Sequence, residues 1–171
     1  RGEMLAEIAQ SKRLIAVVGS HGKTTTSGMI AHGLQHCQLE ANYILGGLFS
    51  DNSTSPVHFC KSDWLVAEVD ESDGTIDQFA PEVTLVLNLD WDHADQYGDA
   101  AKLDAAFLRL IKHTKQKLLL PDSFHLKPTG GATIQTFDGA AKRLGLDPSP
   151  GGIFNKVNGD AAAAVLSFFD Q

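Results

Sequence analysis

Short strand-like runs alternate with segments of helical periodicity along this chain. The runs hold four to six residues each: LIAVV (14–18), WLVAEV (64–69), VTLVLN (83–88), KLLL (117–120) and ATIQTF (132–137). Continuous apolar runs of this length are typical of strands buried on both faces of a parallel sheet. We therefore predict strands at these positions, with Pro121 ending the fourth.

Other segments place their apolar residues on one helical face. The clearest repeats at i, i+3, i+4, i+7 and i+8 through Leu103, Ala106, Phe107, Leu110 and Ile111. Helices are also predicted for the opening RGEMLAEIAQ, for the segment after Thr24 and for the closing AAAAVLSFFDQ. The segment DGAAKRLG reads as a short helix with Asp138 as N-cap and Gly145 as C′ residue. GGLFSDNSTSP (46–56) is rich in turn residues and reads as a loop.

Strands that alternate with helices predict an α/β fold with an open, mostly parallel sheet and helices on both faces. Ligands of such sheets bind outside the carboxyl ends of the strands. Polar clusters follow residues 18, 69 and 87, each at a predicted strand end. We therefore expect the reactive residues at one edge of the sheet.

The first cluster resembles a phosphate-binding loop, although Val17 stands where the template G-x-x-x-x-G-K-[ST] requires glycine. A shorter form remains, with Gly19, Gly22, Lys23 and Thr24 between a predicted strand and a predicted helix. Unpaired amides and the dipole at a helix N-terminus attract phosphate, and the lysine and the hydroxyl suit phosphates and Mg²⁺. This context favours nucleotide phosphate binding over a flexible loop with an incidental lysine.

The second cluster, AEVDESD (67–73), supplies carboxylates opposite the loop lysine. Glu68 lies inside the apolar run, where an unpaired carboxylate is costly, so a metal ion or another cation would account for it. Mg²⁺ takes oxygen ligands and needs only one or two carboxylates. A solvated acidic turn is the alternative, and it fits Asp73 and Asp70 better than Glu68.

The third cluster, NLDWDHAD (88–95), adds Asn88, Asp92 and His93. Histidine is a less usual ligand of Mg²⁺, but His93 is predicted at the same sheet edge as the loop and the carboxylates. His32 and His36 have a spacing that can bind zinc, but no further pair of ligands accompanies them.

Composition narrows the classes of function. The net charge is −7 without a basic run, which argues against nucleic-acid binding. Cys37 and Cys60 form no C-x-x-C pair, which is compatible with a reducing cytosol, and a cytoplasmic location is expected. No apolar run reaches membrane-spanning length and no signal-peptide pattern occurs, so no membrane partner is expected.

Four motifs stand in order along the chain: GSHGKTTT (19–26), AEVDESD (67–73), NLDWDH (88–93) and GIFNKVNGDAAAAV (152–165). Together they resemble the central domain of the Mur ligases, whose loop reads G-T-H-G-K-T-T-T and lacks the first glycine of the general template. Ser20 replaces the usual threonine, and Phe154 replaces the usual histidine of G-x-H-N-x-x-N-x-x-A-A. The resemblance spans nearly the whole chain and is weakest over 118–152.

The resemblance implies a role for each matching residue. Lys23 would hold the phosphates of ATP, Thr24 would bind the first Mg²⁺, Glu68 would be a metal ligand, and His93 would lie at the second Mg²⁺. The remaining nucleotide contacts fall to Gly19, Ser20, His21, Gly22 and Thr25, with adenine read by Asn155 and Asn158. The substrate side of the site is assigned to Gly46, Gly47, Asp70 and Glu71.

The activity implied is ATP-dependent amide formation in peptidoglycan precursor synthesis, through an acyl phosphate of UDP-N-acetylmuramate that an amino acid then attacks. The nearest group within the family adds L-alanine or recycles murein tripeptide. Residues 1–171 are expected to form the central domain alone, trimmed of a UDP-binding and an amino-acid-binding domain, and therefore inactive in ligation. The oligomeric state and the amino acid added stay open.

Three alternatives were weighed against this interpretation. A folylpolyglutamate synthetase or a cyanophycin-type enzyme is a related ligase with another substrate, but the string E-x-D-E-S-D favours the alanine-adding group. A nucleotide-binding module without catalysis is a different class, and intact Lys23, Glu68 and His93 argue against it. A P-loop GTPase would carry an Asn-Lys-x-Asp guanine reader, and no such string occurs.

Overall fold

A computed structural model of the chain describes residues 2–49, 54–71, 74–89, 100–146 and 152–169. Its strands form one seven-stranded sheet in the order β3-β2-β4-β1-β5-β6-β7. The strands are β1 Arg13–Val18, β2 Asn42–Ile44, β3 Val57–His58, β4 Trp64–Glu68, β5 Val83–Val86, β6 Lys117–Leu120 and β7 Thr133–Thr136. Every pairing is parallel except that of β2 with β3. The predicted fold class is confirmed.

Helices cover both faces of the sheet, as predicted. They are α1 Gly2–Gln10, α2 Lys23–His36, α3 Ala100–His113, α4 Ala140–Arg143 and α5 Gly152–Leu166, with a 3₁₀ turn at Ile76–Gln78. One hydrophobic core packs alternate residues of β1 against α2 and α5, and the other packs the remaining residues of β1 against α1 and α3. The continuous apolar run of β1 follows from this double burial.

Helices α2 and α5 pack against each other, and this packing places Asn158 in the first half of α5 opposite Gly22 of the loop after β1. A Cβ on Gly33 of α2 would lie 2.6 Å from Cδ1 of Leu166 in α5, so glycine lets the two helices touch. The loop after β1 leads directly into α2, so the first half of α5 lies beside this loop as well. None of the helices in the described part of the chain combines the length and apolarity needed to cross a bilayer.

The predicted capping of α4 is half right. Gly145 has φ +71° just after the helix, which confirms it as the C′ residue. The prediction that Asp138 is the N-cap is wrong, because Gly139 takes that position and the Asp138 carboxylate accepts the amide of Asp122 at 2.7 Å instead. Asp160 of α5 accepts the amide of Ala141 at 2.9 Å, so the cap comes from a distant helix.

Candidate functional site

The candidate site lies at the carboxyl edge of three neighbouring parallel strands, β4, β1 and β5. The loop after β1 turns directly into α2, and its two glycines have backbone angles that other residues rarely adopt, φ +138° at Gly19 and φ +84° at Gly22. Gly22 also faces Asn158 of α5, whose Oδ1 would lie 2.5 Å from a Cβ at that position. The backbone geometry of the loop therefore favours glycine at both positions.

Helix α2 begins at Lys23 without a side-chain cap on its N-terminal amides among the described hydrogen bonds. Its N-cap, Gly22, has its carbonyl engaged by the amide of Thr26 at 2.9 Å. The first amides of a helix and its dipole create a positive potential that suits an anion such as phosphate. The loop and α2 thus have the form of an anion site, and phosphate binding there stays a prediction.

The loop lysine is oriented by two acceptors. Lys23 Nζ donates to the carbonyl of Gly19 at 2.6 Å and lies 3.3 Å from Oε2 of Glu71. Both side chains are largely buried, with 11% of Lys23 and 1% of Glu71 exposed, so their attraction is weakly screened by water. The pair holds the ammonium group at the mouth of the loop.

Glu68, the last residue of β4, joins the loop to a second segment. Its Oε2 accepts the hydroxyl of Thr24 at 2.9 Å, and its Oε1 accepts the amide of Gly46 at 2.6 Å. Only 9% of Glu68 is exposed, so these two donors account for a carboxylate inside a buried strand. The sequence identified Glu68, but it gave no sign that Gly46 donates to it.

The oxygen atoms of Thr24 and Glu68 fit a magnesium ion. A carboxylate and a hydroxyl within hydrogen-bond distance are hard oxygen donors of the kind that Mg²⁺ prefers, and it keeps water molecules in its other positions. Over the described ranges, no three or more His, Cys, Asp or Glu side chains group closely enough to hold a metal ion. The donor set thus resembles a phosphate-associated Mg²⁺ site rather than a closed structural one.

The glycine pair at 46–47 has a steric cause. A Cβ on Gly46 would lie 2.7 Å from Oε2 of Glu68, and a Cβ on Gly47 would lie 2.9 Å from Cγ2 of Thr24. Both distances are shorter than carbon and oxygen atoms tolerate without movement. The segment after β2 can therefore press against Thr24 and Glu68 only because it carries no side chains there.

Gly47→Ala is expected to displace Thr24 and to weaken binding of Mg²⁺-nucleotide about tenfold or more, since errors of about 1 Å near a reacting group can cost about 100-fold. Calorimetric titration of the protein with ATP and Mg²⁺ measures the effect. Gly131→Ala is the matched control, because a Cβ there meets nothing within 4 Å. Equal affinities for the two variants would contradict the steric argument.

Asn88, just beyond β5, contacts the loop from the other side. Its Oδ1 accepts the amide of His21 at 2.9 Å, and its Nδ2 donates to the carbonyl of His21 at 3.0 Å. Asn158 of α5 is 8% exposed and faces Gly22 of the loop. Asn155 is half-buried one turn earlier on the same helix. Loop, strand end and last helix thus meet at one place.

The other predicted site residues are distributed around this centre. Ser20 is buried in the loop, His21 and Thr25 are exposed, and Asp70 is half-buried after β4. Glu71, predicted on the substrate side, contacts Lys23. The predictions for Asp73, Asp92, His93 and the side chain of Phe154 fall outside the described residues.

A cavity of about 450 Å³ opens beside Thr24. The first turns of α2 and the segment after β2 enclose it, with Gly28, Met29, His32, Leu45, Gly47 and Phe49 in its wall. The sequence assigned only Gly47 of this set to the substrate side, because the cavity forms between two segments whose pairing depends on the strand order. A ligand at the loop therefore has room for a further moiety next to Thr24.

Sequence comparison finds relatives over most of this chain. A family model described as "Mur ligase middle domain" matches residues 17–123. The chain is 38% identical over 117 residues to a UDP-N-acetylmuramate--L-alanine ligase of Coxiella burnetii, a match that covers 68% of this chain and 25% of the relative. It therefore spans about a quarter of the length of the curated relatives it matches.

Comparison with solved structures finds the same fold. A Neisseria meningitides UDP-N-acetylmuramate:L-alanyl-gamma-D-glutamyl-meso-diaminopimelate ligase superposes with a TM-score of 0.83 at 19% identity, over 99% of this chain and 66% of the other. A Thermotoga maritima UDP-N-acetylmuramate-alanine ligase gives a TM-score of 0.64 at 26% identity, over 71% and 28% of the two chains. The fold of this chain is thus similar to that of parts of solved ligases.

Proposed function

Because this chain belongs to the Mur ligase family, whose middle domain its sequence matches, we propose that it is the ATP-binding part of an amide ligase of peptidoglycan precursor synthesis. The observation that carries the proposal is the convergence of Lys23, Thr24 and Glu68 at the N-terminus of α2. Those groups supply a cation, a hydroxyl and a carboxylate beside the first amides of the helix. This set suits a nucleoside triphosphate with its metal ion.

The substrates we propose are UDP-N-acetylmuramate and L-alanine. The support is the identity of 38–43% to relatives that bear the name UDP-N-acetylmuramate--L-alanine ligase. A ligase that recycles murein tripeptide is the alternative within the family. The cavity beside Thr24 and Gly47 is large enough for part of an acceptor close to the phosphates.

In the first step, a carboxylate oxygen of the acceptor attacks the γ-phosphorus of ATP and ADP leaves, which gives an acyl phosphate. Lys23 would neutralise charge on the transferring phosphoryl group, and the amides of α2 would hold the phosphates in line. Mg²⁺ held by Thr24 and Glu68, and by His93 at a second position, would supply further charge neutralisation. Asn155 and Asn158 would contact adenine through their amides.

In the second step, the amine of the amino acid attacks the acyl carbon, and inorganic phosphate leaves through a tetrahedral intermediate. For both steps to occur, the carboxylate of the acceptor and the amine of the amino acid must reach the carboxyl edge of the sheet, where the phosphates are proposed to bind. The segment at Gly46 and Gly47 lies against Glu68 and Thr24 and is placed to contact the acceptor there. The chain thus contributes the phosphoryl-transfer half of the reaction.

The test is a ligation assay of the full-length protein with ATP, Mg²⁺, UDP-N-acetylmuramate and L-alanine. We expect ADP, phosphate and the amide in equal amounts, and no turnover when a folate replaces the UDP-sugar. ATP binding without amide formation from any of these acceptors would instead favour a non-catalytic nucleotide-binding module.

A second assay uses the 171-residue chain alone. We expect it to bind ATP but to form no amide, since it spans about a quarter of the length of its curated relatives. The measurement is product detection by mass spectrometry beside the full-length protein. Amide product from the 171 residues would overturn the proposed division of labour between domains.

A further inference from the structure

We propose that Asn88 is a positioning residue that holds the phosphate-binding loop in its binding form. The inference rests on the proposed nucleotide function, and it gives a specific role to a residue that the sequence analysis names in a polar cluster without assigning it one. Asn88 follows β5, whereas the loop follows β1, and the two strands are neighbours in the sheet. Its side chain therefore reaches the loop across the sheet edge.

The contact has two hydrogen bonds of opposite polarity. The Asn88 carboxamide accepts the amide of His21 at 2.9 Å and donates to the carbonyl of the same residue at 3.0 Å. A carboxamide carries a donor and an acceptor side by side, as a peptide group does, so it can pair with both backbone groups of one residue. Aspartate has the same size without the donor, and leucine has neither group. The pairing therefore requires the amide.

The loop backbone also rests on the backbone of Asn88. A Cβ on Gly19 would lie 3.0 Å from the carbonyl oxygen and 3.1 Å from the amide nitrogen of Asn88. Asn88 thus contacts the loop at two points, Gly19 through its main chain and His21 through its side chain. A side chain at position 19 would push the loop away from the backbone of Asn88, and the hydrogen bonds of the Asn88 side chain with His21 would then be disturbed.

The loop needs such a support because of its composition. Gly19 and Gly22 flank Ser20 and His21, and glycine has more conformational freedom to lose than any other residue. A binding site whose competent form is only partly populated loses affinity by that fraction. By fixing the peptide groups of His21 midway along the loop, Asn88 keeps the amides directed toward the phosphate before it arrives.

The test compares ATP affinity in the presence of Mg²⁺ for the wild-type protein, Asn88→Leu and Asn88→Asp, each well below its melting temperature. If either change leaves the competent loop populated about one tenth of the time, the Kd rises about tenfold. The binding stoichiometry stays unchanged, because every folded molecule still binds. A residue that only stabilised the fold would lower the stoichiometry of a partly unfolded sample and leave the Kd of the folded molecules unchanged.

Asn42→Leu is the matched control. Asn42 is a fully buried asparagine at the start of β2, and its amide bonds to the backbone of Cys60, Ser62 and Trp64 rather than to the loop. We expect this variant to lower the melting temperature and to keep the wild-type Kd.

The outcomes separate the two proposals. The inference is supported if the wild-type protein binds ATP and the Kd rises for the two Asn88 variants but not for Asn42→Leu. Wild-type binding with an unchanged Kd for Asn88→Leu and Asn88→Asp, or with an equal rise for Asn42→Leu, overturns the inference and leaves the proposed function standing. Failure of the wild-type protein to bind ATP overturns the proposed function and the inference with it.

Discussion

Lys23→Ala will abolish productive ATP binding, so acyl-phosphate formation by the full-length protein should fall by at least about 100- to 1000-fold, the cost of removing one hydrogen-bond donor that stabilises transition-state charge. The lysine ammonium lies between the carbonyl of Gly19 and the carboxylate of Glu71 at the mouth of the loop. Acyl phosphate can be trapped with hydroxylamine and measured as the hydroxamate. Normal acyl-phosphate formation by the variant would refute the assignment of the loop.

A loss of stability must be separated from this loss of binding. Removing one partner of a buried ion pair typically costs about 3–5 kcal/mol, and Glu71 is almost fully buried next to Lys23. Lys115→Ala controls for the loss of a lysine and of its ion pair away from the loop, because the half-exposed Lys115 pairs with Glu82 at 3.1 Å near the amino end of β5. We expect it to keep wild-type ATP affinity, and melting curves show how much of each variant is folded.

Glu68→Gln will remove the dependence of ATP affinity on Mg²⁺. The wild-type protein should bind ATP much more tightly with Mg²⁺ than without it, whereas the variant should bind about equally under both conditions, because an amide oxygen carries no charge to attract the cation. The change is nearly isosteric, but the amide can accept through only one atom. Its oxygen can accept the amide of Gly46 while its Nε2 donates to the Thr24 hydroxyl, so both contacts can be kept with the second one reversed in direction.

The control for this variant again comes from the amino end of β5, on the opposite edge of the sheet from the loop. Glu82→Gln removes one carboxylate and one ion pair with Lys115, and it should leave the Mg²⁺ dependence unchanged. Titrations with ATP in excess EDTA and in excess Mg²⁺ give, for each protein, the ratio of the two dissociation constants. A wild-type ratio in Glu68→Gln would show that the metal ion is held without this carboxylate.

The sequence predicted the central strands well because their burial is simple. β1, β4 and β5 have helices over both faces, so their apolar residues are continuous and visible. β2 and β3 were not predicted, since they have three and two residues. β2 also begins with a buried asparagine, Asn42, which interrupts an apolar pattern although its amide is fully bonded.

The site was predicted by residue type but not by contact. Lys23, Thr24 and Glu68 stood out because a lysine after glycine and a carboxylate in an apolar run are unusual. The bonds from Asn88 to His21 and from Gly46 to Glu68 join residues far apart in the chain. They depend on the strand order β2-β4-β1-β5, which periodicity and composition do not determine.

The contact of Asn158 with Gly22 bears on the order in which the molecule acquires its shape. A nascent chain leaves the ribosome from its amino end, so the glycine loop emerges well before α5. Until α5 has docked on α2, the wall that Asn158 gives the loop is missing. The loop therefore reaches the shape described here only after α5 has been made, although its own residues emerge much earlier.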